Sequence, residues 1–230
     1  MPRYRTILFD ADNTLLDFAR SEREAICDTL RFVGVTPSEE MVTAYSAIND
    51  AMWKKLERGE INKYALREAR FVEFCNQFSL KADAARMATA YTDFLSTKSY
   101  LMDGALETCR ALAGECRLYV ITNGIGFVQH GRFDPSPISP YFSGAFISEE
   151  MGAEKPDRAY FDRVAAEIKG FDPATTLVVG DSLTSDMAGG VRAGLDTCWF
   201  NPRGAENRAQ LPITYTVARL EDVVPIALGA

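Results

Sequence analysis

Two aspartates lie directly after the first apolar run of the chain. The run from Thr6 to Phe9 is typical of a buried parallel strand, and it ends at Asp10-x-Asp12-x-Thr14. A carboxylate at position 10 can attack a phosphoryl group if a divalent cation neutralises the charge between the two anions. A second carboxylate two residues later is suited to protonating a leaving alkoxide and then activating water. We therefore predict that Asp10 is the nucleophile and Asp12 the acid/base.

Polar residues also follow two later apolar runs. They are Thr122, Asn123 and Gly124 after the run 118–121, and Asp181 and Asp186 after the run 176–179, with Lys155 at a helix start between them. Ligands bind at the carboxyl ends of strands in open α/β sheets, so these groups are expected to converge. Thr122, Asn123 and nearby backbone N–H groups are suited to holding phosphate oxygens. Lys155 supplies a fixed positive charge for the phosphoryl oxygens and for the nucleophile.

Carboxylates are also the predicted metal ligands. Asp10 and Asp181 together offer an oxygen-only site, in which water and substrate phosphate can fill the remaining positions. Hard oxygen ligands of this kind favour magnesium. We therefore expect Mg²⁺ as the cofactor.

The elements that position these residues divide the chain into two patterns. From about Ser21 to Lys98 the sequence reads as four helices, beginning with a capping box at Ser21, which predicts a bundle-like insert. Beyond Asp103, strands alternate with helices, and strands are expected at 118–121, 176–179, 196–200 and 215–217. This alternation predicts an α/β fold with a Rossmann-like, doubly wound parallel sheet. The stretch 134–140 is expected to be a proline-stiffened loop.

Composition narrows the class of function. The 230 residues carry a net charge of -7, which disfavours a nucleic acid polymer as partner. The 5 cysteines are scattered without metal-ligand spacing and indicate reduced, packed thiols. No apolar stretch is long enough for a membrane span and no secretory leader is evident, so a cytoplasmic protein is expected. The only histidine, His130, lies in a Gly- and Pro-rich stretch and is not expected to take part in catalysis.

These motifs, in this order, resemble those of the haloacid dehalogenase superfamily, most of whose members are phosphatases. The resemblance covers Asp10-x-Asp12-x-Thr14, Thr122, Lys155 and the pair Asp181 and Asp186. It implies that Asp10 is phosphorylated and binds magnesium, that Asp12 also gives its backbone carbonyl to the metal, and that Asp181 is a metal ligand. Asp186 is then expected to support the metal or Lys155 from outside the ligand set.

The same resemblance gives a domain organisation. Residues 1–17 and 99–230 are expected to form the catalytic core. Residues 18–98 are expected to form a helical C1-type cap that closes over the phosphate site and selects the substrate.

A finer similarity concerns the substrate. The segments 8–15, 121–124, 148–157 and 194–201 resemble the YjjG-type pyrimidine 5′-nucleotidases. This implies a small phosphorylated metabolite as partner, with a pyrimidine nucleoside 5′-monophosphate as the leading substrate and a monomer or homodimer as the assembly. In the expected cap, Trp53 is a candidate to stack on a base, with an ordinary bundle-core position as the alternative. Arg67 and Arg70 are interpreted as a solvated face.

Several other activities stay open at this stage. A phosphatase or phosphomutase acting on sugar phosphates or other phosphometabolites would use the same motifs. A 2-haloacid dehalogenase would not need a carboxylate at Asp12, which argues against that chemistry. A catalytically silent binding module is the alternative of another class, because a retained site does not prove turnover.

Overall fold

The computed structural model describes residues 2–229, which contain a six-stranded parallel sheet. The strands are β1 (Thr6–Asp10), β2 (Arg117–Thr122), β3 (Phe142–Ile147), β4 (Thr176–Gly180), β5 (Asp196–Phe200) and β6 (Tyr215–Val217). Their order is β3-β2-β1-β4-β5-β6, and all neighbours are parallel. The order reverses between β1 and β4, which makes that junction the switch point where α/β sheets bind ligands. The doubly wound sheet expected from the sequence is confirmed.

Along the chain, four helices lie between β1 and β2. They are α1 (Phe18–Phe32), α2 (Glu39–Glu57), α3 (Lys63–Gln77) and α4 (Ala84–Ser96). They form one compact unit, Phe18–Lys98, and the described residues up to Asp17 together with those from Ser99 onward form the other. The side chains of Ser38, Asn62 and Asp83 accept hydrogen bonds from the first backbone N–H groups of α2, α3 and α4. These caps explain why the three helices start there.

Six further helices belong to the sheet-containing unit. They are α5 (Ala105–Leu112), α6 (Gly126–Phe133), α7 (Ser148–Met151), α8 (Arg158–Glu167), α9 (Ala188–Ala193) and α10 (Val223–Leu228). Ile7 and Phe9 of β1 belong to a core cluster that includes residues of α5 and α10. Leu8, between them, belongs to a second cluster with residues of α8. This alternation follows from the period of two in a strand, and it buries both faces of the sheet.

The sequence missed β3 and α6, and it placed the start of the first inserted helix wrongly. β3 was not predicted, because Ser143 and Gly144 interrupt the apolar pattern in its first half. The helix that contains His130, α6, was not predicted, whereas the stretch 134–140, expected to be a loop, has turn and 3₁₀ structure. The first inserted helix starts at Phe18 and not at a capping box, so Ser21 lies inside it and is fully buried.

The interpretation of Arg70 as part of a solvated face was also wrong. Arg70 is only 2% exposed, and its Nη1 donates to Asn49 Oδ1 at 2.8 Å. Its guanidinium lies 4.6 Å from the ring centroid of Tyr91. A buried guanidinium needs such partners, since an unpaired charge is costly in the protein interior.

The remaining expectations from composition concern thiols and membranes. All five cysteines are free, with Cys27 half-buried and the other four buried. Among residues 2–229, none of the helices combines the length with the hydropathy that a membrane crossing requires.

Candidate active site

The carboxyl ends of three adjacent strands carry the predicted site. Asp10 is the last residue of β1, and Thr122 is the last residue of β2. Asp181 follows β4 directly, and β4 lies on the other side of β1 from β2. The sheet order therefore places a carboxylate on each side of the switch point and a hydroxyl beside it.

Lys155 connects this edge to the loop before α8. Its Nζ lies 2.6 Å from Asp10 Oδ1, 2.7 Å from Asp186 Oδ1 and 3.0 Å from the carbonyl oxygen of Ile121. Burial acts to lower the pKa of Lys155, but the charges of Asp10 and Asp186 outweigh it and raise the pKa above its ordinary value. The lysine is thus a fixed cation whose three N–H groups are all engaged within the protein.

Asn123 holds the backbone of this lysine in place. Its Nδ2 donates to the Lys155 carbonyl oxygen at 2.7 Å, and its Oδ1 accepts from the Lys155 N–H at 2.8 Å. In the structure this side chain fixes the loop that carries Lys155, and its expected contact with phosphate oxygens stays a prediction. The two hydrogen bonds go to the N–H and the C=O of one residue, so they fix the orientation of the Asn123 amide relative to Lys155.

Asp186 lies in a π-helical turn, Leu183–Met187, which Ser182 separates from Asp181. Its second carboxylate oxygen, Oδ2, accepts from the Ser182 N–H at 3.1 Å. A Cβ on Gly180 would overlap the Asp186 side chain, so glycine at the end of β4 permits this close approach. Both oxygens of Asp186 have protein donors, which matches a supporting position beside Lys155.

Asp181 is held by its backbone instead. Its carbonyl oxygen accepts from Trp199 Nε1 at 2.8 Å. Burial, and then the charge of Asp186, raises the pKa of Asp181 to about 7.

The acidic groups exceed the positive charge available to them. Oxygen atoms of Asp10, Asp181 and Asp186 lie within 4.8 Å of one another. Burial, and then the charge of Asp186, raises the pKa of Asp10 well above its usual range, although Lys155 acts in the opposite direction. One lysine cannot compensate three clustered carboxylates. The donor set therefore fits a hard divalent cation such as Mg²⁺, which takes oxygen ligands.

Asp12 has two partners that the sequence did not reveal, both from α6. Arg132, which is fully buried, forms an ion pair with Asp12 Oδ1. Gln129 Nε2 donates to Asp12 Oδ2 at 3.0 Å and to Thr122 Oγ1 at 2.6 Å. The available signal was Gln-x-x-Arg spacing shortly after a strand end, which places both side chains on one face of a helix.

Gly124 contributes a backbone N–H, and its lack of a Cβ leaves room for the Gln129 side chain. Its N–H donates to Thr122 Oγ1 at 3.1 Å.

His130 lies on α6 with a half-exposed side chain between Asp134 and Glu150. Burial acts to lower the pKa of His130, but the hydrogen bonds that Glu150 and Asp134 accept from its ring outweigh burial and raise the pKa. Both of these partners of His130 are exposed carboxylates.

Trp53 belongs to the helical unit. It lies on α2 and is partly buried, so it is not one of the fully buried residues of that bundle. Its predicted contact with a base stays a prediction.

The parallel sheet, with a carboxylate and lysine cluster at its switch point, defines an α/β protein of the hydrolase type. The model of the haloacid dehalogenase-like hydrolase family matches residues 4–194, and the chain belongs to this family. It is 37% identical over 222 residues to the pyrimidine 5′-nucleotidase PynA of Streptococcus pneumoniae, covering 96% of this chain and 94% of that protein. It is 30% identical over 217 residues to the pyrimidine 5′-nucleotidase YjjG of Escherichia coli, covering 94% and 95%.

A solved structure extends the similarity to the fold. The crystal structure of the HAD-hydrolase YfnB from Bacillus subtilis, bound to magnesium, matches with a TM-score of 0.93 at 36% identity. The match covers 98% of this chain and 99% of that one. The similarity therefore includes both units of the chain.

Proposed function

We propose that the protein is a magnesium-dependent phosphatase that hydrolyses phosphate monoesters through an aspartyl-phosphate on Asp10. The observation that carries the proposal is the position of Asp10, which ends a strand at the switch point and is oriented by Lys155 at 2.6 Å. When bound, Mg²⁺ would be held by the carboxylates of Asp10 and Asp181 and the backbone carbonyl of Asp12, and it would neutralise phosphoryl charge.

The first half of the reaction phosphorylates the protein. A carboxylate oxygen of Asp10 forms a bond to phosphorus, and the bond from phosphorus to the ester oxygen breaks. Asp12 gives a proton to that departing oxygen, so the alcohol leaves neutral. The hydroxyl of Thr122 donates to a phosphoryl oxygen, while Lys155 keeps the nucleophile oriented.

The second half releases inorganic phosphate. Water attacks phosphorus, its proton passes to the Asp12 carboxylate, and the bond between Asp10 and phosphorus breaks. Asp12 thereby recovers the proton that it lost in the first half. A carboxylate that acts as acid and then as base needs a fixed position beside the nucleophile, and Arg132 and Gln129 support that role for Asp12.

A pyrimidine nucleoside 5′-monophosphate is the proposed substrate. Its support is the similarity to PynA and YjjG, both named pyrimidine 5′-nucleotidases, along nearly the full length of the chain. We propose that residues 18–98 act as a cap that selects the substrate, with Trp53 as a candidate to stack on the base. We further propose that the enzyme is cytoplasmic and is a monomer or homodimer. It is proposed to have no nucleic acid polymer or membrane as partner.

The test is phosphate release by purified protein with Mg²⁺ on a panel of substrates. We expect dUMP, dTMP and UMP to give higher kcat/KM than purine nucleotides or sugar phosphates. A preference for a sugar phosphate would contradict the proposed substrate but not the proposed hydrolysis of phosphate monoesters. Phosphoryl transfer to a second metabolite without release of phosphate would indicate a mutase.

The same panel distinguishes the other classes. Chloride release from a 2-chloro acid would indicate a dehalogenase. A protein that binds these compounds without turnover, with or without metal, would be a binding module. Asp10→Asn is the matched control for each assay, because it keeps the shape of the side chain and removes the nucleophile.

A further inference from the structure

Gln129 lies at the centre of a buried hydrogen-bond chain beside the site. Its Nε2 is 2.6 Å from Thr122 Oγ1 and 3.0 Å from Asp12 Oδ2, and its Oε1 is 3.3 Å from Arg132 Nη1. Gln129 is 3% exposed and Arg132 is 0% exposed. One amide therefore joins the acid/base, the hydroxyl at the end of β2 and a buried cation.

The guanidinium of Arg132 fixes which way this amide faces. A guanidinium has only donors, so the Gln129 atom toward Arg132 must be the carbonyl oxygen. The NH₂ nitrogen then faces Asp12 and Thr122. The two hydrogens of Nε2 are then directed to Asp12 and to Thr122.

This orientation determines what Thr122 can do. Its Oγ1 accepts from Gln129 Nε2 and also from the Gly124 N–H at 3.1 Å. A hydroxyl has two acceptor positions and one donor, so both acceptor positions are filled by protein N–H groups. The O–H of Thr122 is left to donate, and neither of its two protein neighbours can accept it.

We propose that Gln129 and Arg132 are positioning residues that hold Thr122 as a hydrogen-bond donor toward the phosphoryl group and keep Asp12 beside it. The inference rests on the proposed phosphatase function. Gly124 belongs to the same arrangement, because a Cβ there would lie 2.5 Å from both Cγ and Nε2 of Gln129. A glycine at this position gives the amide the space that it occupies.

The test is a double-mutant cycle on the affinity for inorganic phosphate, measured by calorimetry in the presence of Mg²⁺. Gln129→Met keeps the length of the side chain and removes its hydrogen bonds, while Thr122→Val removes the hydroxyl. We expect Gln129→Met to raise the phosphate Kd about fivefold in the wild-type background, the range of one hydrogen bond. In the Thr122→Val background it should raise Kd by less than about twofold, because the donor that Gln129 orients is absent.

A purely structural role for Gln129 predicts equal factors in the two backgrounds, and that result would overturn the proposal. Gly124→Ala is the second variant, and it should raise Kd by a similar factor and add little to Gln129→Met. His130→Gln, on the exposed part of α6, is the matched control and should leave Kd unchanged. If the cycle shows this coupling in phosphate affinity but the wild-type protein does not hydrolyse phosphate esters, the proposed function is contradicted and the inference on Gln129 stands.

Discussion

Lys155 and Asp186 form an ion pair of 2.7 Å in which each side chain is only 1% exposed. The same ammonium also reaches Asp10 at 2.6 Å, so a single buried cation serves two buried carboxylates. Removing one partner of a buried pair leaves an uncompensated charge and is strongly destabilising. The lysine therefore contributes to folding as well as to the orientation of Asp10.

Lys155→Met is expected to lower the free energy of unfolding by about 3–5 kcal/mol in metal-free buffer. Methionine approximates the aliphatic stem but leaves Asp10 and Asp186 without their cation. Urea unfolding with EDTA is the measurement, and Lys169→Met at an exposed position is the control, expected to change stability by less than about 0.5 kcal/mol. Equal stability of Lys155→Met and wild type would show that the pair is energetically neutral.

The two motif aspartates should differ in a rapid-mixing experiment. With p-nitrophenyl phosphate, whose leaving group needs little protonation, Asp12→Asn should still phosphorylate Asp10 but release phosphate slowly. We expect a burst of nitrophenolate equal to the protein concentration, followed by turnover reduced by about 10²–10⁴. Asp10→Asn should give neither burst nor turnover. A burst in Asp10→Asn would show that another residue is the nucleophile.

Magnesium should stabilise the fold through Asp181. Bound ligand raises the free energy of unfolding by RT ln(1 + [L]/Kd), which is about 2.7 kcal/mol at a hundred times Kd. Asp181→Asn removes one of three clustered carboxylates. We therefore expect this variant to be at least as stable as wild type in EDTA and to gain much less from Mg²⁺.

Thermal unfolding with EDTA and with Mg²⁺ makes this comparison. Asp162→Asn, at an exposed position on α8, is the control and should respond to the metal like wild type. A full magnesium response in Asp181→Asn would exclude Asp181 as a ligand.

The sequence was informative where chemistry coincided with strand ends. Asp10, Thr122 and Asp181 each follow an apolar run, and parallel strands bring such ends to one edge of a sheet. The motif order then predicted Lys155 at the same edge. The partners of Asp12 had a weaker signal, because Gln129 and Arg132 lie on a helix of 8 residues that the sequence did not predict. Their role depends on which face of α6 meets β1 and β2, which is set by tertiary packing.

Tertiary packing also limited what the sequence could predict for the helical unit. Its four helices followed from caps and periodicity, but the periodicity did not show that Arg70 is buried. A long cation on a helix is usually solvated, and only its contacts with Asn49 and Tyr91 reverse that expectation. Burial of a charged residue is a property of the partners that surround it, and these come from other helices.

The buried polar network of this unit gives a last prediction, on pH. Glu22 is 6% exposed and accepts from Ser46 Oγ and Asn49 Nδ2, each at 2.7 Å. Burial raises the pKa of Glu22, and the hydrogen bonds from Ser46 and Asn49 offset only part of this. The folded state thus binds a proton at Glu22 more tightly than the unfolded state. By linkage, this group makes stability fall as pH rises through the raised pKa.

Glu22→Gln removes that titration and keeps the shape of the side chain. The difference in unfolding free energy, variant minus wild type, should therefore be more positive at about pH 8 than at about pH 5, where Glu22 in the folded protein carries its proton more of the time. Urea unfolding at the two pH values gives the difference, and the exposed Glu68→Gln should show none. A difference that is constant with pH would mean that the Ser46, Asn49 and Arg70 partners fully offset the burial penalty on the ionised carboxylate, and a difference larger at acid pH would mean that they exceed it.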